Sequence, residues 1–183
     1  MKVKILGWLI LSAILVVASC KKDDTPEVDP LVGTYAFSSA TFNETVYITI
    51  QDVEVEFLAD SDATQFVGPG LLSAAPCANA QNAAIELREV GTAFIVCLTE
   101  QLEEQLGTWS LNDSRTILTV NISNPNTFLL TIENLTITSN SFTGTVTNFP
   151  LPKNTAYALG DPIPDQGFNY QTASVDVTFT RVQ

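Results

Sequence analysis

The sequence predicts an all-β domain of antiparallel strands, a β-barrel with a β-sandwich as the alternative. Three observations lead there. After residue 30, apolar and polar residues alternate with period two through most of the chain, as half-buried strands require. Thr, Val, Ile and Phe dominate these stretches, and such side chains suit a pleated surface. The joints between stretches are mostly short and turn-rich, so neighbouring strands run antiparallel. Closing the sheet removes its exposed edges, which favours a barrel over a sandwich.

The chain begins outside this pattern. Lys2 and Lys4 precede an apolar run from Ile5 to Val17, followed by Ala18, Ser19 and Cys20. A positive start, a short apolar stretch and small residues before a cut site make residues 1–19 a secretory signal peptide. The run is shorter than the ~20 residues a spanning helix needs. Residues 20–30 hold acids and prolines and read as an extended linker. The remaining 31–183, about 150 residues, suffice for one domain with one core.

Within the domain, Tyr35 and Phe37 alternate with polar neighbours, and the parity then shifts to Ala40 and Phe42. That slip predicts a bulge near Ser38 and Ser39. Val46, Ile48 and Ile50 form the next strand, and Val53, Val55 and Phe57 the one after, with a turn or bulge near Gln51 and Asp52. Residues 60–76 contain Gly68-Pro69-Gly70 and read as a loop. Ile85 and Leu87 start a strand that turns at 89–92 and returns from Ala93 to Leu98. Thr99 to Leu106 reads as a short helix or a loop. In the helix, Leu98, Leu102 and Leu106 share a face, Thr99 caps the start and Gly107 ends it. Trp109 and Leu111 open a strand, Asn112-Asp113-Ser114 turns it, and Leu118, Val120 and Ile122 line the next. Phe128 to Thr138 is a long strand with a parity change near Glu133 and Asn134, and Phe142 to Thr147 follows a turn. Residues 148–171 hold four prolines and read as a long irregular connection. Val175, Val177 and Phe179 mark the inward face of the last strand.

Composition narrows the function. The chain carries a formal charge of −12, which disfavours nucleic acid and anionic headgroups as partners. Cys77 and Cys97 remain after the signal peptide, and in an oxidising compartment beyond the inner membrane they are expected to form a disulfide. There is no histidine, so a Ser-His-Asp or Cys-His site is impossible and the commonest zinc ligand is missing. Glu54 and Glu56 share a strand face, but it is the wet one, opposite Val53, Val55 and Phe57. Residues 60–64 alternate oxygen-bearing side chains as a calcium loop does, without the glycine and distal glutamate of an EF-hand. No enzymatic activity, cofactor or metal is expected.

Two resemblances add to this reading. Val17-Ala18-Ser19-Cys20 resembles the lipobox of bacterial lipoproteins, which implies cleavage before Cys20 and acylation of that cysteine. The Lys21-Lys22-Asp23-Asp24 run is similar to the charged signal of surface-exported lipoproteins in some Gram-negative bacteria. Together they imply a cell-envelope protein held to the outer membrane by lipid, facing the periplasm or the surface. Further on, Gly33-Thr34-Tyr35, the mid-chain cysteines, Gly107-Thr108-Trp109-Ser110-Leu111 and the final Val177-Thr178-Phe179-Thr180-Arg181 occur in an order that resembles the bacterial lipocalin-like lipoproteins. Tyr35 departs from the family, which usually has tryptophan there, and the 148–171 connection is longer than such folds need. The resemblance implies an antiparallel up-and-down, lipocalin-like β-barrel, in which Tyr35 and Trp109 close the floor, Arg181 stacks on one of these rings, and the mouth takes a small apolar or amphipathic ligand without catalysis. The alternative is a filled core. In that case Phe149, Tyr157, Phe168 and Tyr170 of the 148–171 loop would touch a protein or glycan partner.

Overall fold

The computed structural model describes residues 28–72, 75–123, 128–155 and 170–182. The predicted signal peptide, Cys20, most of the predicted linker, Tyr157 and Phe168 lie outside the described residues. The elements in chain order are β1 (Gly33–Phe42), β2 (Val46–Ile50), β3 (Val53–Phe57), α1 (Thr64–Leu72), β4 (Ala83–Leu87), β5 (Thr92–Cys97), β6 (Glu103–Leu111), β7 (Leu118–Ile122), β8 (Phe128–Ile137), β9 (Ser141–Pro152), β10 (Asn154–Thr155) and β11 (Tyr170–Arg181).

Eight of these strands close into a barrel in the order β1-β4-β5-β6-β7-β8-β9-β11, and β11 returns to β1. Every ladder in the barrel is antiparallel. The sandwich alternative fails because β1 pairs on both sides, with β4 and with β11. The fold is an up-and-down, lipocalin-like barrel. A second sheet of three strands, β10-β2-β3, is added by the insertions after β1 and β9.

The parity slips are bulges and turns, as the sequence predicts. The β1–β11 register shifts between Phe37 and Ser39, and the β8–β9 register shifts between Glu133 and Thr136. Gln51 and Asp52 both take positive φ, 49° and 65°, in a two-residue turn that joins Ile50 to its partner Val53. Such primed turns match the twist of the flanking strands. A further bulge at Ser174 of β11 is stabilised from outside: the backbone N–H of Ser174 donates to the Glu44 carboxylate at 2.8 Å.

Three expectations are corrected. Residues 64–72 form a helix although they contain Gly68-Pro69-Gly70. Pro69 forfeits one helical hydrogen bond. The glycines suit the packing: a Cβ on Gly68 would lie 3.1 Å from the Phe37 ring and one on Gly70 would lie 3.0 Å from Phe149, so either ring would have to yield slightly to a larger residue. The Asp60–Thr64 stretch leads into this helix: Asp62 bridges to Thr41, and its carboxylate accepts from the Thr64 backbone N–H at 2.8 Å, at the helix's first residue. Second, Thr99 to Leu106 is neither helix nor simple loop. Glu103 onward is β6, paired with β5, and Leu106 is the residue bulged out of the register between Phe94↔Gln105 and Ala93↔Gly107. Third, the 148–171 connection is shorter than expected. β9 runs on to Pro152, β10 follows, and β11 begins at Tyr170. Pro150 and Pro152 are tolerated because the β8–β9 ladder ends at Glu133↔Thr145, so this stretch pairs in the barrel only with β11.

One continuous cluster of buried apolar side chains lines the strand bundle, with no buried polar or charged residue among the described ones. Strand direction gives the barrel two distinct ends. β1 starts and β11 finishes at the floor, where the β4–β5, β6–β7 and β8–β9 turns also lie. The mouth holds the β5–β6 connection, the starts of β4, β8 and β11, and α1.

Candidate functional site

The floor is built by Tyr35, Arg181 and the segment leading into β1. Tyr35 is fully buried and lies directly opposite Arg181 in the β1–β11 register. The Arg181 guanidinium sits over the Tyr35 ring at 4.8 Å, a cation–π contact. It also donates to the carbonyls of Val32 (2.9 Å) and Pro30 (2.5 Å) and to the Tyr35 hydroxyl (2.5 Å). Its Nε is buried without a partner. Burial pushes the Tyr35 phenol above its ordinary pKa against the opposing pull of Arg181, so it stays protonated and donates towards Pro30. Trp109 belongs to the same end: its indole N–H donates to the Arg88 carbonyl at 3.0 Å, bracing β6 against the β4–β5 turn. All three residues act here in packing and bracing.

Two floor residues have no pattern in the sequence that marks them. Asp29 receives both terminal nitrogens of Arg115, at 2.7 and 2.8 Å, and the backbone N–H of Leu31 at 2.8 Å. Leu31, fully buried, is thereby pressed onto the barrel end. The pairing joins residues 86 apart in sequence, so nothing local announces it.

The hydrogen bond from Arg115 holds the Asp29 carboxyl below the usual carboxylate range, aided by the Leu31 N–H and opposed by partial burial. A depressed carboxyl contributes stability above its unfolded pKa of ~3.9 and loses it as pH falls through the lower folded value. Both partners remain partly exposed, so the contribution is ~1 kcal/mol or less. Asp29→Asn should therefore lower the urea midpoint slightly at pH 7. The gap between variant and parent should close as the pH falls below the ordinary carboxylate range and through the lower folded value. A gap that widened in acid would contradict this pairing.

The mouth differs in character. α1 lies across the ends of β1 and β9, with Phe66 and Val67 buried and its glycines against Phe37 and Phe149. Phe66 meets Phe42 at 5.9 Å and Phe57 at 5.1 Å, tying the helix to the β2–β3 hairpin. Mouthward of Glu133↔Thr145, the β8–β9 ladder stops, leaving, among the described residues, a seam between Phe128–Ile132 and the far half of β9. Large apolar side chains stand exposed around this end: Leu98, Leu102, Phe128, Leu129 and Tyr170. Cys77 and Cys97 are bonded, with Cα atoms 5.4 Å apart, and staple the approach to β4 onto the end of β5.

Of the aromatic residues assigned to the 148–171 loop, Phe149 is buried in the barrel wall on β9. It is therefore no contact residue. Tyr170 is exposed at the start of β11. Leu98 and Leu102 stand four apart, with the buried Leu106 four further on, a spacing that suggests a helical face instead of an exposed edge.

No protein-family model, curated protein or solved structure matches this chain. The barrel is established by its strand order and register.

Proposed function

We propose that this chain is a lipid-anchored lipoprotein of the cell envelope. Its lipocalin-like barrel binds a small apolar or amphipathic ligand at the mouth, without catalysis. The observation that carries this reading is the contrast between the two ends. The floor is closed by a hydrogen-bonded clamp on Arg181, while the mouth has exposed apolar side chains and an unpaired seam between β8 and β9. Soluble proteins seldom gather large apolar residues on one surface without a use for them. The wall beneath is apolar throughout, which suits an acyl chain or a flat hydrophobe. The lipobox-like Val17-Ala18-Ser19-Cys20 supports tethering through Cys20 at the outer membrane, and the chain has no histidine for nucleophilic or zinc chemistry.

A second reading, a packed barrel that serves as an interaction module, is supported by one observation. Rings of Tyr35, Phe37, Phe142 and Phe179 pack together in the floor half of the interior. One titration separates the two. A ligand at a hundred times its Kd stabilises by ~2.7 kcal/mol, which raises the Tm of a domain this size by about 5–10 °C. Mature protein should show that shift with at least one member of a panel of fatty acids, lysolipids and aromatic hydrophobes. No shift across the panel would reject the ligand reading in favour of the packed module.

A further inference from the structure

The outer edge of β3 is an open strand edge with a defined chemical preference. We propose that it accepts an extended segment of a partner protein, one alternating apolar with lysine or arginine residues, as a fourth strand of the β10-β2-β3 sheet. This surface is distinct from the barrel mouth and does not depend on the ligand reading.

The register fixes which groups the edge presents. The two-residue turn at Gln51 and Asp52 makes Ile50↔Val53 the closing hydrogen-bonded pair of the hairpin. Bonded pairs alternate, so Val53, Val55 and Phe57 direct their backbone groups towards β2. Glu54 and Glu56 direct theirs outward. Among the described residues no strand pairs with that side of β3.

The side chains carry a second mark of a missing neighbour. Val53, Val55 and Phe57 lie on the inner face, yet Val53 is 63% exposed and the other two only half-buried. Leu58, just past the strand, is 60% exposed. An added strand would cover this apolar margin. On the opposite face, Glu54 and Glu56 stand exposed, the latter held by the Tyr47 hydroxyl at 2.9 Å.

Charge decides the occupant. Directly opposed side chains in an antiparallel pair interact strongly, and like charges there destabilise. A second copy of β3 would set glutamate against glutamate in any paired register, in a chain of formal charge −12. Residues 23–87 contain no lysine or arginine, so the hairpin itself carries only acidic charge; Lys153, whose carbonyl accepts from the Thr49 N–H, lies on the β10 side of β2, away from the open edge. The glutamates therefore bar self-pairing and select a basic strand. Backbone hydrogen bonds would give affinity, and the alternate pockets specificity, as in other strand-addition sites.

The test uses mature protein and a short blocked peptide alternating valine with lysine, with its valine–glutamate counterpart as control. Amide exchange at Glu54 and Glu56 should slow on adding the lysine peptide. Glu54→Pro removes an outward N–H that β2 does not need, and it should abolish this protection while the Val53 and Val55 amides remain protected. Glu54→Lys/Glu56→Lys should invert the preference, weakening the lysine peptide roughly tenfold through two reversed cross-strand pairs. The proposal is overturned if the lysine peptide protects neither amide, if Glu54→Pro binds it as tightly, or if the charge reversal leaves the preference unchanged.

Discussion

Phe179→Ala should destabilise the barrel by about 3–5 kcal/mol, a large part of the ~5–15 kcal/mol that holds a typical domain together. Phe179 is 1% exposed and central to a cluster spread over three strands. In register it faces Phe37 of β1 on one side and Phe142 of β9 on the other. It stacks on Phe142 with centroids 4.7 Å apart and meets Phe37 edge-on at 5.6 Å, while Phe142 in turn meets Tyr35 at 4.9 Å. Truncation leaves a cavity among rings that strand positions hold in place, so little collapse can offset it. Urea denaturation reads the loss. Val90→Ala, on the exposed β4–β5 turn, should change stability by no more than ~0.5 kcal/mol. A loss below ~1 kcal/mol for Phe179→Ala would mean that the rings do not pack as one unit.

The second large effect is expected from the disulfide. Replacing Cys77 and Cys97 together by alanine opens a covalent loop of 20-residue separation. The chain-entropy relation assigns such a loop ~3 kcal/mol. The urea midpoint should fall accordingly. Parent protein unfolded under reducing conditions should fall to nearly the same value, because both then have the same unrestrained unfolded chain. The segment ahead of β4 retains only weak local bonds without the staple, such as Leu98 N–H to Asn82 C=O at 2.9 Å and the Ala78 N–H to Glu100 carboxylate at 3.0 Å. Amide exchange should therefore quicken there first. Equal midpoints for oxidised parent and double variant would remove the staple's role in stability.

The barrel was legible in the sequence because its signals are local. Period-two alternation marks the strand faces, and a slip of one residue marks the bulges at Ser38 and near Asn134, though not those at Leu106 and Ser174. What escaped depends on contacts distant in sequence. Gly68-Pro69-Gly70 reads locally as a breaker, but Phe37 and Phe149 make small residues the ones that fit a helix lying against them. The leucines at 98, 102 and 106 repeat at a helical interval, yet pairing with β5 makes the latter part a strand. Pro150 and Pro152 suggest a loop until the one-sided ladder of β9 is known. At the floor, Tyr35, Trp109 and Arg181 carried a family-like pattern, whereas Asp29 and Arg115 meet only through the closed fold.

The clamp at the floor has a mechanical consequence. Force arriving along the chain ahead of residue 28 meets Asp29, then the carbonyls of Pro30 and Val32, before it reaches the first rung of β1. Those groups are gripped by Arg115, from the β6–β7 turn, and by Arg181, from the last strand. Tension is thus spread over distant parts of the wall instead of peeling the opening strand away. A pull at this end is borne by the wall as a whole, and the inner lining stays undisturbed.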